Sequence, residues 1–300
     1  MIHYDSCPYC SSANIVFYLD VKDYTVSNEI FRLYKCQQCS GVFTQDIPDQ
    51  SAIGAYYASD NYISHSDTQQ GLVNRLYHIV RNRTLVAKRS LLQSVTGKSE
   101  GVIADIGCGT GAFLQTMHAA GWDITGLEPD ETARKNARDL SGIEALPSPE
   151  LFNLPRQHYD AITMWHVLEH VHQLHEYLNQ VKLLLKDTGK FIVAVPNYTS
   201  YDALHYQANW AAYDVPRHLY HFSPESLRLL VAKHGMKLTS IKPMWFDSFY
   251  VSMLSEQYKN GKGNILKASL IGLVSNLKAV FNKQKCSSII YIIEKDQQNI

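Results

Sequence analysis

Three groups of residues in this 300-residue chain have the types and spacing to do chemistry. The first is Asp105-Ile-Gly-Cys-Gly-Thr-Gly111, where Gly107, Gly109 and Gly111 alternate behind an acid, with Cys108 between them. Alternating glycines let the backbone approach a ligand where any Cβ would clash. A helix opening behind such a turn offers free N–H groups to a polar or anionic ligand group. The second group is Cys7-Pro-Tyr-Cys10 with Cys36-Gln-Gln-Cys39. Two such turns can supply four thiolates, the donor set of a closed, structural, tetrahedral zinc site. A redox dithiol or two unrelated pairs are the other readings. The third group is imidazole. It comprises His166-Val-Leu-Glu-His170 and an aromatic, histidine-rich stretch from Tyr198 to His221. That stretch has the ingredients of a substrate lid, and His218 and His221 are its candidates for a general base. Their alternative is a structural role.

These residues need elements to position them. Val102–Ile106 reads as a short buried strand and Ala112 onward as a helix. The strand Trp122–Glu128 then ends in an acid about twenty positions after the turn, where a doubly wound sheet places a carboxylate for ribose hydroxyls. A dinucleotide fingerprint would want its third glycine after two residues, and a P-loop would want Gly-Lys-Ser/Thr; neither is present. Glu131–Leu140 reads as a helix capped by Asp130. Gly142–Leu146 reads as a short strand, and Pro147, Pro149 and Pro155 break the loop behind it. Tyr159–Trp165 and Lys190–Val195 read as buried strands. The helix Leu174–Leu185 between them exits through Lys186–Gly189, with Gly189 as its cap. Ser223-Pro224 opens a helix to Lys233. Leu238–Lys242 and Ser287–Glu294 complete a sheet. The helix 265–281 between them is apolar at helical spacing. It would close the pocket, form a dimer face or lie on a membrane surface. Upstream, Leu72–Val95 is an amphipathic helix carrying Arg75, Arg81, Arg83, Lys88 and Arg89. One of its arginines is a candidate partner for a cofactor carboxylate. Gln45–His65, with Tyr56, Tyr57 and Tyr62, connects it to the cysteine region.

Asp105, the three glycines, Glu128 and the Leu168-Glu-His-Val171 stretch together resemble the class I S-adenosylmethionine-dependent methyltransferases. Asp214–Glu225 resembles the insertion of bacterial methyltransferases linked to sugar, lipid or secondary-metabolite chemistry. The resemblance implies an α/β fold: a Rossmann-like, seven-stranded, mostly parallel sheet with the last strand antiparallel, behind a small N-terminal zinc ribbon. The divisions it suggests are a ribbon at 1–45, a connector with helices at 46–96 and a methyltransferase domain at 97–300. The lid would be 198–222 and a helical insertion 244–286. It implies that Gly107, Cys108, Gly109 and Gly111 lie under the methionine part of S-adenosylmethionine. Asp105 would border that part, and Glu128 with Pro129 would hold the ribose. Trp165 and His166 would wall the pocket. In this family an acid often starts the adenine loop; here Pro147 and Ser148 stand there and Glu150 comes later. Adenine contacts are therefore expected from the backbone around Leu146.

Composition sets further bounds. Lys and Arg number 28, Asp and Glu 28, so net charge points to no nucleic-acid partner. The first residues show no basic and apolar leader, and no apolar run of about twenty residues is present. A cytoplasmic protein with a small-molecule acceptor is expected, with peripheral membrane contact and oligomeric state left open. Two other functions compete. One is a non-catalytic S-adenosylmethionine-binding scaffold whose ribbon docks a partner. The other is a zinc protease, since His-x-x-Glu-His is also an inverted protease signature; against it, His166 falls at a strand-to-helix corner.

Overall fold

The computed structural model describes residues 1–57 and 72–297, and of 72–82 the backbone alone. Tyr62 and the side chains of Arg75 and Arg81 lie outside the described residues. Three strands, β1 (Ile15–Lys22), β2 (Ile30–Cys36) and β3 (Val42–Thr44), form an antiparallel ribbon behind the first cysteine pair. The helix α1 (Leu72–Thr96) then leads to β4 (Val102–Ile106), α2 (Ala112–His118), β5 (Asp123–Leu127) and α3 (Glu131–Ser141). Asp130 caps α3 by accepting from Ala133 N at 2.7 Å, and Gly142 ends it in the left-handed conformation.

Next come β6 (Tyr159–Trp165), α4 (Leu174–Leu184), β7 (Leu185–Pro196) and the short α5 (Tyr201–Tyr206). The chain closes with β8 (Tyr220–His221), α6 (Pro224–Lys233), β9 (Met236–Pro243), α7 (Asp247–Asn260), α8 (Ile265–Phe281) and β10 (Ser288–Lys295). The main sheet runs β5-β4-β6-β7-β10-β9. β5, β4, β6 and β7 are parallel, and β10 is antiparallel to both its neighbours.

Two expectations are corrected. The sheet has six strands, not seven. Gly142–Leu146 contributes one bridge, Leu127 to Leu146, because Pro147 follows at once and lacks the N–H that would continue a ladder. Gly189 is not a helix cap either. α4 passes directly into β7 at Leu185, and Gly189 lies inside that strand.

The ribbon is welded to the rest. β8 adds to β3, pairing His221 with Val42 and Tyr220 with Phe43, so the ribbon sheet borrows its fourth strand from residues far downstream. Cys7, Tyr9, Cys36, Cys39 and Phe43 belong to the same apolar core as β6, β7 and β10. Arg217, 1% exposed, clamps Asp23 at 3.0 Å and Asp214 at 2.6 Å, and donates to Tyr56 O at 2.8 Å. Burying a guanidinium requires such complete pairing. The stretch 198–222 is therefore mostly buried packing between ribbon and sheet.

Candidate cofactor pocket and metal centre

The pocket is assembled at the carboxyl ends of β4, β5 and β6, where a doubly wound sheet opens. After β4 the chain turns through Gly107 and Gly109, both with positive φ (73° and 54°). A Cβ on Gly107 would lie 2.4 Å from Val167, whereas one on Gly109 would meet nothing within 4 Å. Gly107 is thus glycine for packing, and Gly109 leaves open space where a ligand would lie. The turn is held by Gly107 N and Cys108 N donating to Leu127 O at 2.7 and 3.0 Å. Gly109 N donates to Glu128 Oε2 at 2.9 Å, and Asp130 N to Glu128 Oε1 at 3.1 Å. Turn and acid are one preassembled unit. Arg134 fastens the Glu128 and Pro129 carbonyls, each at 2.7 Å.

Near the residue expected to meet adenine, the Leu146 amide donates to Gly126 O at 2.8 Å and its carbonyl accepts from Glu128 N at 2.9 Å. The backbone there is engaged, and the Leu146 side chain is 38% exposed. Asp105 is buried and accepts from Thr163 Oγ1. Burial pushes its carboxyl up to about 7, against the pull of Thr163 and Lys88. Lys88 of α1, half-buried, lies 4.1 Å over the Trp165 ring. Burial lowers its ammonium to about 8, with Asp105 and Asp247 opposing. The Trp165 indole N–H is buried without an acceptor. A cation, an orphaned donor, a buried acid and an open cradle suit a zwitterionic, adenosyl-bearing ligand. Cys108, beside them, is a buried thiol raised by burial.

His166 sits on the wall at φ 58°. Its Nε2 lies 3.0 Å from Asp247 Oδ2 and its Nδ1 3.4 Å from Glu169 Oε1. Burial opposes the charged ring, but Asp247 and then Glu169 outweigh it and raise the imidazolium to about 10. Behind it Glu169 is fully buried, and among the described residues neither carboxylate oxygen has a hydrogen-bond partner. His166, His170 and His218 hold its carboxyl low against burial. The His170 and His218 rings meet edge to face at 4.6 Å. His170 Nδ1 lies 3.0 Å from Arg217 O and 2.9 Å from Tyr57 Oη; burial and then His218 lower it to about 4. His218 Nδ1 lies 2.9 Å from Ala212 O. Taking Nδ1 as the protonated nitrogen, Nε2 carries the lone pair. Glu169, His170 and His218 have ligand atoms within 4.8 Å of one another, a donor set in which His166 takes no part. The two histidines of the protease signature share Glu169 but are otherwise held apart, His166 by Asp247 and His170 by Arg217 O and Tyr57.

His221 turns elsewhere. Its Nε2 is 3.0 Å from Thr44 Oγ1 in the ribbon, and burial holds it neutral. His218 is the one of the two candidate bases that joins Glu169.

The cysteines converge as their spacing requires. Cys7 and Cys39 sulfurs are 3.5 Å apart, Cys10 and Cys36 3.6 Å, and all four lie within 4.8 Å. Thiolates about 2.3 Å from one zinc lie about 3.8 Å apart, so the cluster fits that ion with little adjustment.

Lys88, Thr163 and Asp247 were not among the residues singled out for the pocket. Lys88 could have been found as the cation on the apolar side of α1; for Asp247 no local signal exists.

A sheet in this order, opening on a glycine turn tied to an acid, defines a Rossmann-like cofactor-binding protein. The chain belongs to the methyltransferase-domain family, whose profile matches residues 78–241, more than half of its length. It is similar to a ubiquinone biosynthesis O-methyltransferase of Bordetella avium (strain 197N), 33% identical over 107 residues, which are 33% of this chain and 44% of that protein. An uncharacterized methyltransferase of Anoxybacillus flavithermus is 25% identical, over 50% of this chain and 76% of its own length. The matches to the Bordetella protein and to an uncharacterized methyltransferase of Alkaliphilus oremlandii span 44% and 61% of those relatives. Among solved structures, a putative sarcosine dimethylglycine methyltransferase from Galdieria sulphuraria superposes with a TM-score of 0.50 at 13% identity, over 77% of this chain and 93% of that one. That likeness concerns the fold. No helix among the described residues is long and apolar enough to cross a membrane.

Proposed function

We propose that this protein transfers a methyl group from S-adenosylmethionine to an O, N or C nucleophile of a small-molecule acceptor. The observation that carries the reading is the Glu128–Gly109 hydrogen bond beside an open Cβ position, a ribose acid and a bare turn set as one unit. Asp105, the 107–111 turn, Glu128 with Pro129, Leu146, Trp165 and His166 are the residues that would hold the cofactor, with Lys88 toward its carboxylate. When bound, the cofactor supplies a methyl activated by its sulfonium, so no protein nucleophile is needed.

The chain's own contribution is alignment and proton handling. The charged His166, its two ring nitrogens turned to Asp247 and Glu169, is a fixed cation beside the pocket. His218, backed by Glu169 and locked through Nδ1, accepts the acceptor's proton at Nε2 where one must leave. His221 supports that arm by fastening it to Thr44. The curated relatives named for ubiquinone O-methylation favour a hydroxyl acceptor; sugar, lipid-linked and secondary-metabolite acceptors share that chemistry. None of the six cysteines is in a disulfide, which supports a cytoplasmic setting and a structural zinc at Cys7, Cys10, Cys36 and Cys39.

The test is calorimetry with S-adenosylhomocysteine. Micromolar binding that Glu128→Ala weakens is the expected result. No binding at about millimolar ligand, where the free energy would be only about 4 kcal/mol, would sink both the enzyme and the scaffold reading. Methyl transfer lost in His218→Ala while cofactor binding persists separates enzyme from scaffold.

A further inference from the structure

The α7–α8 hairpin, inserted between β9 and β10, is packed inside out. α8 buries its small residues Ala268, Gly272, Ser275 and Ala279 against the protein. Ile271, 7% exposed, is buried with them, but most of the other large side chains point outward: Leu266 is 86% exposed and Phe281 90%, with Leu270, Leu273, Leu277 and Val280 also exposed. A helix of a soluble domain normally does the reverse, and exposed apolar surface on this scale marks an interaction face. The inner side is not loosely seated. Ser275 Oγ and Ser287 Oγ each donate to the buried Asp202 at 2.7 Å, and Trp210 Nε1 joins them at 2.8 Å. Ser248 Oγ lies 3.0 Å from Asn276 Oδ1, tying α7 to α8. The outward leucines are held out by a rigid base.

Charge indicates what covers them. Lys259 and Lys262 are exposed at the hairpin's tip and Lys283 beyond its other end. From Ser248 to Ser287 the sequence holds a single carboxylate, Glu256, and that one is buried and paired with Lys267 at 3.0 Å. The face is therefore apolar with cationic ends and no exposed acid. A second copy laid on it would bring lysine toward lysine with nothing to offset them. An anionic bilayer complements both properties, since leucine and phenylalanine enter the acyl boundary while lysines meet headgroup phosphates. The hairpin also starts at the pocket: Asp247, the first residue of α7, is the partner of His166.

We propose that the outer face of α8 docks this protein on an anionic lipid surface. The binding does not depend on the methyl-transfer reading, and its test uses no cofactor or acceptor. The zinc-loaded full chain is sedimented with phosphatidylcholine vesicles, with and without phosphatidylglycerol. It should bind the phosphatidylglycerol vesicles at least about tenfold more tightly, and salt should weaken that binding. Leu270→Glu with Leu277→Glu should abolish binding with an unchanged circular dichroism spectrum. Lys259→Glu with Lys262→Glu, which leaves the apolar face intact, should lower affinity for the anionic vesicles by about tenfold or more. No vesicle binding by the wild-type chain overturns the proposal. So does a dimer in light scattering that Leu270→Glu splits, because the face would then belong to a second copy.

Discussion

The glycine-turn pocket and the imidazole cluster beside it are built by opposite strategies. In the first, the contacts that shape the turn are near in sequence: Gly109 to Glu128, Gly107 to Leu127, Leu146 to Gly126. In the second, short-range contacts are joined by ones that span much of the chain: Arg217 to Asp23, His221 to Thr44, His170 to Tyr57. A locally built site depends on one turn and tolerates change elsewhere. A site closed by long-range contacts depends on the ribbon, and so on the zinc proposed to hold it. That difference makes the two separable by experiment.

The largest effect should come from the cysteines. Metal analysis should find one zinc per chain. Cys36→Ser, or chelation, should lower stability by about 3–5 kcal/mol and the Tm by about 10 °C, with His218 and Arg217 losing their order as β8 leaves β3. A Tm unmoved by zinc removal would show that the two regions are not unequal in this way. Next, Gly109→Val should weaken S-adenosylhomocysteine about 100-fold, because the branched side chain fills the open side of the turn and resists its positive φ. Calorimetry reads this, and hydrogen exchange of the ribbon should stay as in the parent.

Smaller and more selective is the pair His218→Ala and His221→Ala. The first should lower kcat by about 10²-fold with little change in Tm; the second should chiefly lower Tm. Equal kinetic losses from both would contradict the division of roles between them. The smallest concerns His166. Its imidazolium is raised from 6.5 to about 10. Its contribution to stability is thus fully present below about 6.5 and lost as pH rises through about 10. Asp247→Asn should bring the ring's titration down toward neutrality, as NMR of the imidazole would show, and should flatten that alkaline loss.

What could be read in advance follows the same divide. The turn, Glu128, the cysteine quartet and most of the helices and strands were legible because each is encoded within a few residues. The third strand shrinks to one bridge because Pro147 follows it at once, and Gly189 is no cap because the chain pairs with β6 from Leu185 onward. The stretch from Tyr198 to His221 read as a lid, since its composition suits one. Its burial is decided by Asp23, Thr44 and Tyr9, about two hundred positions away, and no window of the sequence contains both halves. Lys88 and Asp247 escaped for the same reason, because their importance lies in facing Trp165 and His166.

The borrowed strand β8 also bears on synthesis. On a ribosome adding about 5–20 residues per second, roughly ten to thirty seconds separate Thr44 from His221. Throughout that interval the nascent ribbon has a bare edge, open to pairing with a neighbouring polypeptide. Four thiolates emerging early would let the proposed zinc hold the hairpins until the missing dipeptide arrives. Starving cells of zinc during translation should therefore yield aggregates of newly made chains, while molecules completed beforehand persist.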